Sequence, residues 1–173
     1  MRSMILRATG LISVAIAAPS IAATRSATAS ISVIRPISIA SAADLSFGRL
    51  QPQGNGNPGT CTVSSAPPIT RTTNGVSALP GGSETPAIRN ISGEAGRAYR
   101  VSVPASVAST QGGYLVAAFT LWTTSKGDIT TTRMGQLSAS GQDTLRLGAT
   151  ISFPKGSKQD VYTANVPITI SYE

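Results

Sequence analysis

Two alternating runs near the C-terminus constrain this chain more than anything else in it. Leu145, Leu147, Ala149, Ile151 and Phe153 occupy every second position, and Val166, Ile168, Ile170 and Tyr172 do the same up to the penultimate residue. Successive side chains of a strand point to opposite faces, so this period buries one face of a β-strand and does not form the stripe of a helix. Shorter stretches of the same kind are predicted at 45–47, 60–64, 69–72, 87–92, 99–103, 115–123 and 129–132, with the last two runs extending over 145–153 and 161–172. Turn chemistry separates them: Asn74-Gly75, Pro80-Gly81-Gly82, Ser92-Gly93, Gly112-Gly113, Lys126-Gly127-Asp128 and Lys155-Gly156, residues that supply left-handed or pre-set backbone angles. Helical periodicity is absent outside the N-terminus. The expectation is an all-β chain, an immunoglobulin-like sandwich of short antiparallel strands.

The N-terminus reads differently. Arg2 and Arg7 precede an uncharged, Ala- and Ile-rich stretch over 8–24, the arrangement of a secretory signal peptide, and Gly10 and Pro19 oppose a stable membrane helix. The expected division is a signal peptide over 1–23, cut after Ala22 or Ala23 with Ala29 as second choice, and one sandwich domain over 24–173. The mature form is not expected to span a membrane. Export places it in the periplasm, on the cell surface or outside the cell. Losing Arg2 and Arg7 from 14 basic residues against 7 acidic ones lowers the net charge from +7 to +5. The remaining basic residues are scattered, with no basic stripe carrying interleaved aromatics, so no nucleic-acid partner is expected.

From Ala27 the chain alternates again, with Ala27, Ala29, Ile31 and Val33 on one face and Ser26, Thr28, Ser30 and Ser32 on the other, which predicts a half-buried strand. Pro36 lacks a ladder donor and therefore marks either a break or a sheet edge.

Composition narrows the chemistry. The chain has no histidine and one cysteine, which excludes His-based nucleophile systems, His-bearing metal sites, thiolate cages and an internal disulfide. Its acids, Asp44, Glu84, Glu94, Asp128, Asp143, Asp160 and Glu173, fall almost entirely in predicted loops and read as solvated turn residues; no pair is singled out for glycoside chemistry. No catalytic residue, cofactor or metal is expected, and the chain is not read as an enzyme. Cys61 reads as a small buried apolar side chain. Trp122 and Tyr114 flank an apolar strand, either as core or as a stacking surface for a sugar ring. Lys126-Gly127-Asp128 reads as a hairpin turn.

The ending NVPITISYE resembles the last strand of chaperone-usher pilins. That resemblance implies a sandwich lacking one strand, with the gap filled by a periplasmic chaperone and then by a neighbouring subunit. Three longer blocks, ISVIRPISIASAADLSFGRL (31–50), GEAGRAYRVSVP (93–104) and LRLGATISFPKGSKQDVYTANVPITISYE (145–173), resemble an exported bacterial family known as domain of unknown function 4402. That family is itself similar to spore-coat-U and fimbrial-subunit sandwiches, with which this chain shares Leu-x-Phe-Gly at 45–48. Gly48, Gly93 and Gly96 would serve backbone freedom, and Phe47, Tyr99, Val101 and Val103 packing.

The resemblance implies an exported structural or adhesive surface protein that assembles by β-strand addition. Val166, Ile168, Ile170 and Tyr172 would form the acceptor edge, and residues 24–34, with Ala27, Ala29, Ile31 and Val33, the donor segment. A chaperone, an usher and further copies of the chain are the implied partners. The alternative is a monomeric secreted or periplasmic binding module, carbohydrate being one candidate ligand, with a complete sandwich and Trp122, Tyr114 or the loops as contact surface.

Overall fold

The computed structural model describes residues 24–52, 57–111, 113–158 and 160–173. The proposed signal peptide over 1–23 lies outside them. The chain divides into two units, 1–32 and 33–173. Of the first, residues 24–32 have no regular secondary structure and are exposed throughout.

The second unit is all-β and antiparallel. In chain order its strands are β1 (Ser38–Ala43), β2 (Ser46–Phe47), β3 (Leu50–Pro52), β4 (Gly59–Val63), β5 (Arg71–Asn74), β6 (Val76–Ala78), β7 (Glu84–Thr85) and β8 (Ala87–Ser92), followed by β9 (Ala98–Ser102), β10 (Ser106–Ala108), β11 (Leu115–Thr123), β12 (Gly127–Asp128), β13 (Met134–Gln136), β14 (Gln142–Phe153) and β15 (Thr169–Tyr172). An eight-stranded sheet runs β1-β8-β14-β11-β10, with β12 on β11, β4 on β14 and β5 on β4. A three-stranded sheet runs β13-β9-β15, and β2-β7 and β3-β6 form two small ribbons.

The long alternating run of the sequence becomes the organising strand. On one side β14 pairs first with β8, Leu145 opposite Arg89 and Leu147 opposite Ala87, and then with β4, Ile151 opposite Cys61. On the other side β11 runs along it, with Leu121 opposite Leu147 and Val116 opposite Ile151. Leu145, Leu147, Ala149, Ile151 and Phe153 are all buried. They join Phe119 and Leu121 of β11 and Tyr99 and Val101 of the small sheet in one hydrophobic core. Full burial of each large side chain contributes about 1.5–3 kcal/mol, so the core sits where the two sheets contribute residues to the same cluster.

Several expectations are corrected. The alternation at Ala27–Val33 does not make a half-buried strand: the first ladder begins at Ser38, after Pro36, and β1 is an outer strand of its sheet. Residues 129–132 form a turn, because the Asp128 carboxylate accepts the Thr130 N–H at 2.8 Å and Arg133 follows with φ +59°; the strand is β13, two residues later. The predicted strand at 69–72 is shifted to Arg71–Asn74. Over 161–172 only the last four residues enter a ladder. Strands β3, β6, β7, β10 and β12, two or three residues each, are too short to show a period. The turn at Lys126-Gly127-Asp128 is present, with Gly127 at φ +73°, and Gly48 and Gly96 have the left-handed angles that favour glycine, +72° and +70°.

Candidate functional site

The region that departs most from a finished β-structure is the approach to the C-terminus. β15 pairs with β9 on one side only, Thr169 opposite Ser102 through Tyr172 opposite Tyr99, and is the outermost strand of its sheet. Upstream, residues 161–168 belong to no strand, yet exposure alternates strictly: Tyr162, Ala164, Val166, Ile168, Ile170 and Tyr172 are half-buried and the residues between them exposed. All six pack against the core. This is an extended segment with a strand's facing but no pairing strand among the described residues. Pro167 contributes to the interruption, since it has no N–H to give to a ladder and holds Val166 in an extended conformation.

Beside this segment lies an open groove of about 480 Å³. Tyr162 to Val166 and Ile168 form one wall; Asp44 and Leu45, between β1 and β2, and Phe47 of β2 form another; Arg89, Ser109 and Thr110 also line it, and the buried Ala87, Val116, Leu147 and Ile151 of the large sheet form its floor. Tyr162 fixes one end by lying against Tyr114, ring centroids 3.7 Å apart, while Tyr114 meets Phe153 edge-on at 5.2 Å. The Thr110 N–H donates to the Thr163 carbonyl at 2.9 Å and holds the segment there. The rim carries an ion pair, Arg89 to Asp44 at 3.0 Å. Of the four acceptor residues expected from sequence, Val166 and Ile168 line the groove, whereas Ile170 and Tyr172 lie in the paired part of the edge.

Tyr172 has a second role that the sequence did not reveal. Its hydroxyl donates to the Arg35 carbonyl at 2.7 Å and accepts the Glu94 N–H at 2.6 Å, while the Arg35 N–H donates to the Glu94 carboxylate at 3.0 Å. These three groups form a clasp between the start of the domain and its penultimate residue. Gly93 makes room for it: a Cβ there would collide with the Tyr172 hydroxyl and with Leu137. Gly93 is therefore required by close approach rather than by a left-handed backbone. The next residue, Glu173, pairs with Arg100.

The donor residues expected from sequence, Ala27, Ala29, Ile31 and Val33, are all exposed; Ile31 is 90% and Val33 86% accessible.

Elsewhere, Asp143 is not a solvated turn acid. It is buried in β14 and accepts from the Tyr99 hydroxyl at 2.8 Å, the Ser125 hydroxyl and N–H, and the Thr144 N–H. Burial first, and then the carboxylate beside it, push the Tyr99 hydroxyl well above the ordinary tyrosine range. The period that turns Leu145 inward turns Asp143 inward too, and that was the signal available in the sequence. With its acceptor sites taken by structural donors, Asp143 is a structural hub.

Tyr114 is 4% exposed and belongs to the core, so it forms no outward stacking surface with Trp122. Trp122 is half-buried, with the Arg146 guanidinium 5.1 Å from its ring centroid. Cys61 is a free thiol, fully buried, and burial pushes it up to about 11. Among the described residues no three His, Cys, Asp or Glu side chains gather as metal ligands, and no helix is long and apolar enough to cross a membrane.

In comparison with protein families, the profile described as Domain of unknown function (DUF4402) matches residues 37–172, most of the chain. The chain belongs to this family. The DUF4402 span begins one residue before β1 and closes on Tyr172, so it takes in the groove, Glu94 and the open edge but leaves Arg35 and residues 24–34 outside. No curated protein and no solved structure matches the chain.

Proposed function

We propose that this DUF4402 protein is an exported structural or adhesive subunit, an immunoglobulin-like sandwich short of one strand, and that it assembles by accepting an extended segment along residues 161–172. One observation carries the reading. A segment whose side chains alternate between solvent and core runs into the outermost strand of its sheet beside a groove of mixed apolar and polar lining, and among the described residues no strand is paired to its upstream half. An open edge of this kind is a template for backbone pairing, and the groove supplies places for every second side chain of the incoming strand. In this reading residues 24–34 of the mature chain are the donor, and before assembly a periplasmic chaperone occupies the same edge, with an usher as the export partner. The role is structural rather than catalytic.

Gel mobility of the purified mature protein tests this, with and without boiling, beside a variant lacking residues 24–30. A ladder of SDS-resistant oligomers, abolished by boiling and missing in the variant, is the expected result. A monomer band indifferent to boiling refutes it and favours the monomeric binding module.

A further inference from the structure

We infer that the outer face of the eight-stranded sheet carries a binding site for an acidic oligosaccharide, in which Arg146 takes a sugar carboxylate and Asn90, Thr144 and Gln142 take hydroxyls. The site shares no lining residue with the groove beside residues 161–168 and does not depend on a strand being added there.

The alternation that buries Asp143, Leu145 and Leu147 turns Gln142, Thr144 and Arg146 to the opposite face of β14. Cross-strand pairing completes the surface. Arg146 stands between Trp122 of β11 and Ile88 of β8, and on the β8 side Asn90 is opposite Thr144 and Ser92 opposite Gln142. At about 3.3 Å per residue the patch runs about 13 Å from Arg146 to Gln142, long enough for a short oligosaccharide. Its far end opens into a groove of about 710 Å³, whose lining includes Asn90, Ser92, Gln142 and Thr144 together with Ser138 and Ser140 of the turn before β14.

Arg146 is the charged centre. Arg71, Arg89 and Arg100 each meet a carboxylate. Arg146 meets the Trp122 ring instead, its guanidinium carbon 5.1 Å from the centroid, and among the described residues no carboxylate lies within ion-pair distance of it. Asp128 is opposite Trp122 on the side away from β14, and its carboxylate accepts the Thr130 N–H. A guanidinium over an indole still presents N–H donors at its edges, and their fork matches a carboxylate. Trp122 and Ile88 flank its aliphatic stem and exclude water there, which strengthens the attraction.

The neighbouring groups are uncharged. Asn90 and Gln142 are exposed, and among the described residues the side chains of Asn90, Gln142 and Thr144 make no hydrogen bond within the chain. Each amide has two donors and one acceptor, a set that can bridge adjacent sugar hydroxyls. One cation among such groups fits a uronate, with one carboxylate and several hydroxyls per unit, better than a nucleic acid, whose affinity comes from many phosphate contacts. The 14 basic residues against 7 acidic ones add a long-range attraction for a polyanion.

Trp122 is the one tryptophan of the chain, so its emission reports from the site itself. Purified protein is titrated with an oligogalacturonate, with the fully methyl-esterified oligosaccharide as the uncharged control and a single-stranded oligonucleotide as the polyanion control. A saturable change in Trp122 emission is expected with the oligogalacturonate and with neither control. Calorimetry gives the affinities of the variants, whose Trp122 surroundings differ. Arg146→Gln should weaken binding at least about tenfold, the loss of one charge-assisted contact, and Arg146→Lys, which keeps the charge without the fork, should restore only part of it. Lys155→Gln removes the same charge from an exposed turn residue and should stay within about twofold, because a distant charge is screened. Equal weakening by Arg146→Gln and Lys155→Gln, equal binding of the methyl ester or the oligonucleotide, or no binding of the oligogalacturonate overturns the site.

Discussion

Replacing Tyr172 by Phe removes a single oxygen that holds both ends of the domain together. That oxygen donates to the Arg35 carbonyl at 2.7 Å and accepts the Glu94 N–H at 2.6 Å. Each such bond is worth about 0.5–1.5 kcal/mol net, and the Arg35 carbonyl, on an exposed residue, is re-solvated when its donor is lost. The half-buried Glu94 amide recovers less. The expected cost is therefore about 1.5 kcal/mol, equivalent to a fall in Tm of about 4–5 °C for a domain of this size. Thermal unfolding by circular dichroism measures it, and amide exchange should show Glu94 losing protection about tenfold at that same energy. Gly93 gives an internal check, because a Cβ on Gly93 collides with this same hydroxyl as well as with Leu137. Gly93→Ala should cost less in the Tyr172→Phe background than in wild type, with a coupling of about 1 kcal/mol between the two sites. A Tm within about 1 °C of wild type, or strictly additive effects, would refute the clasp.

Other expected outcomes follow from the core and the hub. Leu147→Ala empties a fully buried position on the central strand and should destabilise by about 3–5 kcal/mol in urea titration. Because the Tyr99 hydroxyl titrates above its unfolded value, the unfolded chain releases that proton first as pH rises; stability is intact below about pH 10 and declines above it, by at most about 1.4 kcal/mol per pH unit for this group. Tyr99→Phe should flatten that alkaline decline while lowering stability near neutrality, both readable from unfolding curves at a series of pH values. Cys61 should resist a thiol reagent at pH 8 on the native protein and react promptly once urea unfolds it, as expected for a fully buried thiol held at about pH 11.

What the sequence made legible was period, and what it hid was partnership. The run from Leu145 to Phe153 announced its burial and became the central strand, and Ala87–Ser92 and Leu115–Thr123 were bounded exactly as they are found. The same reasoning, carried one step upstream, would have recovered Asp143 as a buried group, since it stands on the inward parity. Contacts such as Tyr172 with Arg35, 137 residues apart, have no local signature at all. Most instructive is that three segments with one pattern met three fates: 145–153 is paired on both sides, 169–172 on one, and 27–33 with no strand in the described structure. Alternation establishes that a segment suits a half-buried position; whether it occupies one depends on a neighbouring backbone that no single sequence window contains.

Among the described residues two alternating segments, 27–33 and 162–168, have no paired strand. An apolar edge open to solvent invites indiscriminate pairing, and proteins ordinarily blunt such edges with charge, bulges or a covering element. Here the segment from Tyr162 to Tyr172 contains no charged side chain, and Pro167 is its main interruption. The exposed segment from Ser26 to Ile34 is equally uncharged, with Arg25 and Arg35 just outside its ends. Each is apolar on one parity and hydroxyl- or amide-bearing on much of the other, so a strand of the second laid on the first continues both the buried face and the wetted face across the joint. Under the strand-addition reading proposed above, these two liabilities are two halves of one strand pair, each covering the apolar parity of the other.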